Sequence, residues 1–177
     1  MFKKLLLTVL ILIAILVIVG LLLPKDYEIS RSIEINASKD KIHKYVGDLE
    51  NWPSWTPWIE ADPSINTKIG EKSKGVGASQ SWTGKEGDGR LEFTKYDEDK
   101  GIGYDLFFMG DQNKCYGEMI YNEGKENSVE VEWNMEGEIN MPVIGGYFAL
   151  MMDRMVGPMF EKGLENLKTV AEINWKK

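Results

Sequence analysis

Between Leu5 and Leu23 the chain reads LLLTVLILIAILVIVGLLL, nineteen residues without a charge and with only Thr8 and Gly20 as mild interruptions. As a helix rising ~1.5 Å per residue, such a run is about 28 Å long, enough to cross a hydrocarbon layer of ~30 Å. The competing reading is a cleaved signal peptide, whose apolar region is usually ~7–15 residues and ends at a small-x-small site. This run is longer, and the following GLLLPKDY offers no convincing site of that kind. The expectation is therefore an uncleaved transmembrane signal anchor over residues 1–24. Lys3, Lys4 and the amino terminus precede the run, whereas Lys25 is followed at once by Asp26. The positive-inside bias then predicts a single-pass protein of the cell membrane, N-terminus cytoplasmic and everything after Pro24 extracytoplasmic.

Residues 25–177 are long enough for one domain. About 150 residues bury roughly 70% of their unfolded surface, so no metal or disulfide staple is required. This part carries 19 basic and 28 acidic side chains, net −9. That excludes a nucleic-acid partner, whose binding rests on neutralising phosphates. It also argues against docking of the domain on an anionic lipid surface, leaving the N-terminal helix as the membrane contact. The single cysteine, Cys115, makes no disulfide framework.

Residues 27–37, YEISRSIEINA, alternate Ile29, Arg31, Ile33 and Ile35 against polar neighbours, the pattern of a half-buried strand. Only three residues separate this strand from the apolar run, a reach of ~10 Å at most, so the domain sits close to the bilayer. Ser38 opens SKDKIHKYVGDL as an N-cap, with Ile42, Tyr45, Val46 and Leu49 at helical spacing. Gly47 weakens this helix, and Pro53 ends it or opens a second short one capped by Asp48 or Asn51. The stretch ENWPSWTPW then puts Trp52, Trp55 and Trp58 among two prolines. From residue 64 onward, SINTKI, SQSWTG, GRLEFTKY, GIGYDLFFM, CYGEMIYN and SVEVEWNME are joined by short pieces rich in Gly, Asp and Asn, the signature of an antiparallel meander. In the last of these, Val129, Val131, Trp133 and Met135 alternate with acidic and polar residues. A long helix is expected over about residues 147–173, striped by Phe160, Leu164, Leu167 and Ala171 and kinked or restarted at Gly157-Pro158.

One strand, a short helical pair, six further strands and a long C-terminal helix resemble the START-like, or helix-grip, superfamily, which includes the domains labelled polyketide cyclase/dehydrase. The segments carrying the resemblance are RSIEINASKDKIHKYVGDLENWPSWTPW, GVGASQSW, VEVEW and FEKGLENLK, together spanning nearly the whole of residues 25–177. The resemblance implies an α+β fold in which a curved antiparallel sheet of about seven strands wraps the C-terminal helix. It further implies a cavity between them, closed at one end by the helical pair. In such a fold Trp52, Trp55 and Trp58 would pack beneath and beside the cavity mouth. Trp55, Trp58, Trp82, Leu91, Phe93, Tyr104, Phe108, Met119, Trp133, Met155 and Met159 are the candidate ligand-binding residues.

The residues themselves carry little catalytic signal. The lone histidine, His43, sits between Lys41 and Lys44 and is expected on a solvated helix face. No His/Cys cluster with metal-ligand spacing and no phosphate-loop or cofactor motif is present, so no metal, cofactor or catalytic residue is assigned. Asp105 and Glu118 lie on strands whose facing is ambiguous. Arg90, Asp153 and Arg154 are the charged residues closest to the expected mouth. The functional reading is a membrane-anchored domain that binds a hydrophobic small molecule or lipid. A cyclase/dehydrase-like lyase or hydrolase acting on such a ligand is the first alternative. A packed protein-interaction module is the second, its protein partner unknown.

Overall fold

The computed structural model describes residues 1–85, 87–108, 113–125 and 128–173. The expected turn residues Glu86, Gly110, Asp111, Gln112, Glu126 and Asn127, and Met109 at the end of the fifth strand, lie outside them. The apolar run forms α1 (Phe2–Leu22), the one described helix long and apolar enough to cross a membrane. Its side chains are exposed along the whole length except at Gly20. The pattern-derived strands follow as β1 (Asp26–Ile35), β2 (Asn66–Ile69), β3 (Ser79–Thr83), β4 (Gly89–Asp97), β5 (Gly101–Phe108), β6 (Asn113–Glu123) and β7 (Val129–Glu138). Between β1 and β2 stand α2 (Lys39–Val46), a 3-10 helix (Leu49–Ser54) and α3 (Trp58–Ala61); α4 (Gly145–Ile173) closes the chain.

The seven strands make one antiparallel sheet in the order β1-β7-β6-β5-β4-β3-β2. The return of β1 to pair with β7 leaves the meander β2–β7 otherwise sequential. Side chains opposite one another in register share a face, so the sheet's inner face resolves into rows. One row is Tyr27, Gly137, Cys115, Leu106 and Leu91; the next is Ile29, Met135, Gly117, Tyr104 and Phe93; the next is Arg31, Trp133, Met119, Ile102 and Tyr96. The alternation of β7 is confirmed in full, with Val129, Val131, Trp133 and Met135 all buried.

Helix α4 runs along β1 in the same direction. The Arg31 guanidinium, inward on an edge strand, donates to Asp153 (2.7 Å) and Glu161 (2.6 Å) on α4. Further along, Lys168 donates to the Glu34 carbonyl, and Glu172 accepts from the Asn36 amide. Phe160, Leu164, Leu167 and Ala171 are buried, as their spacing predicts. Of the kink or restart expected at Gly157-Pro158, the restart does not occur: α4 is continuous through Pro158. A proline inside a helix forfeits one i→i−4 bond, and here the helix is held on either side of it by Arg31. A side chain at Gly157 would meet that guanidinium and have to displace it from its two carboxylate partners.

Asp48 caps the 3-10 helix by accepting from the Glu50 amide (3.2 Å) and pairs with Lys74 (3.0 Å). Ser38 occupies the N-cap position of α2, but its hydroxyl makes no capping bond. It serves the Asp40 carboxylate instead, helping to hold that group below the usual carboxylate range.

Candidate ligand-binding mouth of the grip

The tryptophan-rich stretch is placed by its own backbone. The Trp52 indole donates to the Val46 carbonyl (2.8 Å) and the Trp55 indole to the Tyr45 carbonyl (3.1 Å), so both rings are tied to the end of α2 and turned onto the sheet. Trp52 packs on Phe93 and Tyr104 at ring-centroid distances of 5.9 and 5.7 Å. Trp55 meets Trp133 at 5.3 Å, and Trp58 meets both Trp133 and Phe160. Trp133 stacks flat on Phe160 at 4.0 Å and donates its indole N–H to the Tyr104 hydroxyl at 2.7 Å. Edge-to-face and offset pairs of this kind add to the burial of each ring. The two deeper rows of the inner face are thus covered by aromatic rings at the helical-pair end of the grip.

Among the described residues, the other end is less covered. There Trp82 and Phe108, in edge contact at 5.7 Å, are only partly covered, Phe108 being 37% exposed. Leu106 is half-buried beside them, and Met152 and Val156 of α4 pack partly buried against the same core. A shallow groove of about 700 Å³ crosses the sheet near this end, lined by Tyr27, Cys115 and Gly137 of the inner row but mostly by the outward-facing Asp26, Glu28, Lys114, Tyr116, Glu136 and Glu138. Tyr27 lies across Gly137, whose missing side chain makes the room, and meets the Cys115 thiol. Because β1 begins at Asp26, four residues after the end of α1, the less covered end of the grip is the end next to the apolar helix. A second concavity of about 510 Å³ separates the 3-10 helix and α3 from the C-terminal half of α4.

The expected site residues therefore separate into two sets. Trp55, Leu91, Phe93, Tyr104, Met119 and Trp133 are buried. Trp58, Trp82 and Met159 are half-buried, and Phe108 and Met155 are exposed, Met155 at 54%. Leu106 belongs to the mouth but was not expected there. Leu106 shares its strand parity with Tyr104 and Phe108, and that pattern is the signal by which it could have been found.

His43 is not on a solvated face. It is 5% exposed, its Nδ1 hydrogen-bonded to the Tyr121 hydroxyl at 3.2 Å and its ring edge-on to Tyr96 at 4.7 Å. The flanking lysines suggested a solvated face, but α2 turns Ile42, His43 and Val46 together onto the core. Gly47 leaves space for the imidazole, and its amide closes the helix on the His43 carbonyl. Burial holds this imidazole below the usual histidine range, against an opposing pull from Glu98 and Asp97. A depressed folded-state value means the unfolded chain binds the proton more tightly. The associated stability is complete above the unfolded value of ~6.5 and is lost as pH falls, by up to about 1.4 kcal/mol per pH unit until the folded value is reached. Denaturant titrations between about pH 8 and pH 5 are expected to show this decline, and His43→Gln to flatten it. An equally steep profile in the variant would assign the proton elsewhere.

Among the described residues, the acidic groups named from the sequence, Asp105, Glu118 and Asp153, are engaged elsewhere. Burial pushes the Cys115 thiol up, away from the reactive thiolate range, and pushes the Tyr104 hydroxyl up as well. Arg90 lies on the outer face over the Phe107 ring, Asp105 pairs there with Lys114, and Glu118 accepts from the Tyr116 hydroxyl. Asp153 is engaged by Arg31. Among the described residues no group of His, Cys, Asp and Glu side chains is arranged to hold a metal ion.

Residues 27–172 match the family model described as polyketide cyclase/dehydrase and lipid transport. The chain belongs to this family. No curated protein matches it. Solved structures of the same fold include a Thermobifida fusca protein at 17% identity and TM-score 0.63, covering 82% of this chain and 93% of that one. Another, from Thermus thermophilus, shows 13% identity and TM-score 0.61 over 85% and 99% of the two chains. A Chromobacterium violaceum protein is similar at 12% identity and TM-score 0.59, over 82% and 98%. At these identities the likeness is one of fold. Membership of the polyketide cyclase/dehydrase and lipid transport family points to a hydrophobic ligand, and the inner face of this grip is apolar at both ends.

Proposed function

We propose that this protein is a membrane-anchored binder of a hydrophobic molecule, a lipid, isoprenoid or aromatic polyketide-like compound, taken in through the less covered end of the grip. In this reading α1 spans the cell membrane with its N-terminus cytoplasmic, and residues 25–177 stand on the extracytoplasmic side. The observation that carries the proposal is the coincidence of the less covered apolar end with the end of α1. A ligand leaving the bilayer beside α1 meets Trp82, Leu106 and Phe108 first, then Met152 and Met159. Leu91, Phe93, Tyr104, Met119, Trp133, Trp55 and Trp58 form the wall and floor behind them, with Met155 on the outer rim. The short tether after Leu23 keeps exchange within reach of the membrane surface.

The aromatic filling of the deeper rows supports a second reading, a packed interaction module with no cargo. Native mass spectrometry on residues 25–177, purified gently from a membrane-containing host, separates the two. Carriage is expected to show as an additional apolar mass that is lost on denaturation. A bare protein mass, unchanged after incubation with a lipid extract, would remove the binding reading in favour of the packed module. Turnover of a co-purified compound would convert the binder into the cyclase/dehydrase-like alternative.

A further inference from the structure

We propose that the segment from Met141 through the first three turns of α4 is a second membrane contact, seated in the same lipid leaflet as the C-terminal end of α1. The inference rests on the reading of α1 as a membrane span. From Ile139 to Met152 the chain has no charged residue. Within and just beyond that stretch, Ile144, Phe148, Met151 and Met155 recur at intervals of four, three and four, the stripe of one helix face. They are 48, 41, 51 and 54% exposed, apart from the face that α4 buries through Ala149, Phe160 and Leu164. Contiguous apolar surface of this kind on a soluble domain marks an interaction site.

What identifies the occupant is the contact with α1. The Tyr147 hydroxyl donates to the Leu16 carbonyl at 2.8 Å. Leu16 lies six residues before the end of α1, about 9 Å along the helix axis, so the Tyr147 hydroxyl reaches alongside the apolar run itself. Gly20 is buried against the Val143 carbonyl and the Tyr147 ring, and Gly146 rests on Leu23. The one glycine within the apolar run is thus the notch that receives the loop before α4. Val143 adopts φ 64°, a conformation that a β-branched residue avoids unless its surroundings impose it. Lipid that surrounds this end of α1 also surrounds the loop docked on it. The chain regains charge at Asp153 and Arg154, where α4 is already tied to Arg31 of the sheet. With net −9 on the domain, the contact is apolar rather than electrostatic, and neutral lipid suffices. Two attachment points, α1 and this stripe, fix the tilt of the domain and hold the less covered end of the grip against the bilayer.

The test uses the full chain in phosphatidylcholine vesicles, in a Cys115→Ser background, with an environment-sensitive fluorophore on a single cysteine. Phe148→Cys reports the stripe, Leu12→Cys the middle of α1, and Ile173→Cys the far end of α4. Circular dichroism checks that each labelled chain is folded. With brominated acyl chains, the Leu12 and Phe148 probes are expected to lose most of their emission and the Ile173 probe none. Adding Gly20→Leu is expected to restore emission at Phe148 while leaving Leu12 quenched. Quenching at Leu12 without quenching at Phe148 would overturn the second contact and leave the span intact. A blue-shifted but unquenched Phe148 probe would assign the stripe to a protein partner and overturn it too. Loss of quenching at both positions would remove the membrane reading of α1 itself.

Discussion

Replacing Trp133 by alanine is expected to cost the domain about 3–5 kcal/mol, the usual range for deleting a buried aromatic. Native stabilities are ~5–15 kcal/mol, so the loss is a large fraction of the whole. Trp133 is where the two halves of the grip meet: it stacks on Phe160 of α4, touches Trp55 and Trp58, and donates to Tyr104 on the sheet. Gly163 of α4 sits directly against its ring. Trp133→Phe separates packing from hydrogen bonding. It retains an aromatic ring against Phe160 but leaves the buried Tyr104 hydroxyl without its donor, a penalty of about 1–3 kcal/mol. Adding Tyr104→Phe to that variant removes the stranded hydroxyl and is expected to recover part of the loss. Urea titrations of the three variants measure these differences. A Trp133→Ala midpoint close to wild type would show that the aromatic layer is not the structural centre of the domain.

The paired change Trp82→Asp and Phe108→Asp is expected to abolish retention of an apolar ligand while leaving the fold nearly intact. Both rings are already partly in water, so removing them takes little from the core. A ligand lying on them, however, loses two apolar contacts worth about 1.5–3 kcal/mol each and meets two charges instead, a fall in affinity of about a hundredfold or more. The amount of co-purifying apolar mass per protein, read alongside the thermal midpoint, tests this directly. Full retention with an unchanged midpoint would move the binding surface away from the mouth. Loss of both together would make Trp82 and Phe108 structural residues.

These two outcomes bear on regions that were unequally visible in the sequence. Period-two alternation in β7 determined that Val129, Val131, Trp133 and Met135 share a buried face, because successive side chains of a strand must point to opposite sides. The i, i+4, i+7 stripe of Phe160, Leu164 and Leu167 determined the core face of α4 on the same grounds, and nineteen uncharged residues determined α1. Periodicity, though, says only that one face of an element is covered. It does not say what lies opposite, or how far along the element the cover extends. His43, expected outside, is inside because α2 presents it with Ile42 and Val46 to Tyr121 and Tyr96, residues of β6 and β4 distant in sequence. Met155 was grouped with Met159 by composition, yet more than half of it is exposed, because α4 buries only one flank against β1. Gly20 read as a mild interruption of an apolar helix and is instead the contact point for Val143 and Tyr147. The sequence by itself determined the long apolar helix and the strand parities, since each follows from local periodicity and hydrophobicity, and its resemblance to the helix-grip superfamily implied the grip architecture. Only the tertiary structure decided that the tryptophans fill the grip at its helical-pair end and leave it less covered beside α1, because that depends on which side chains meet across the space between separate elements.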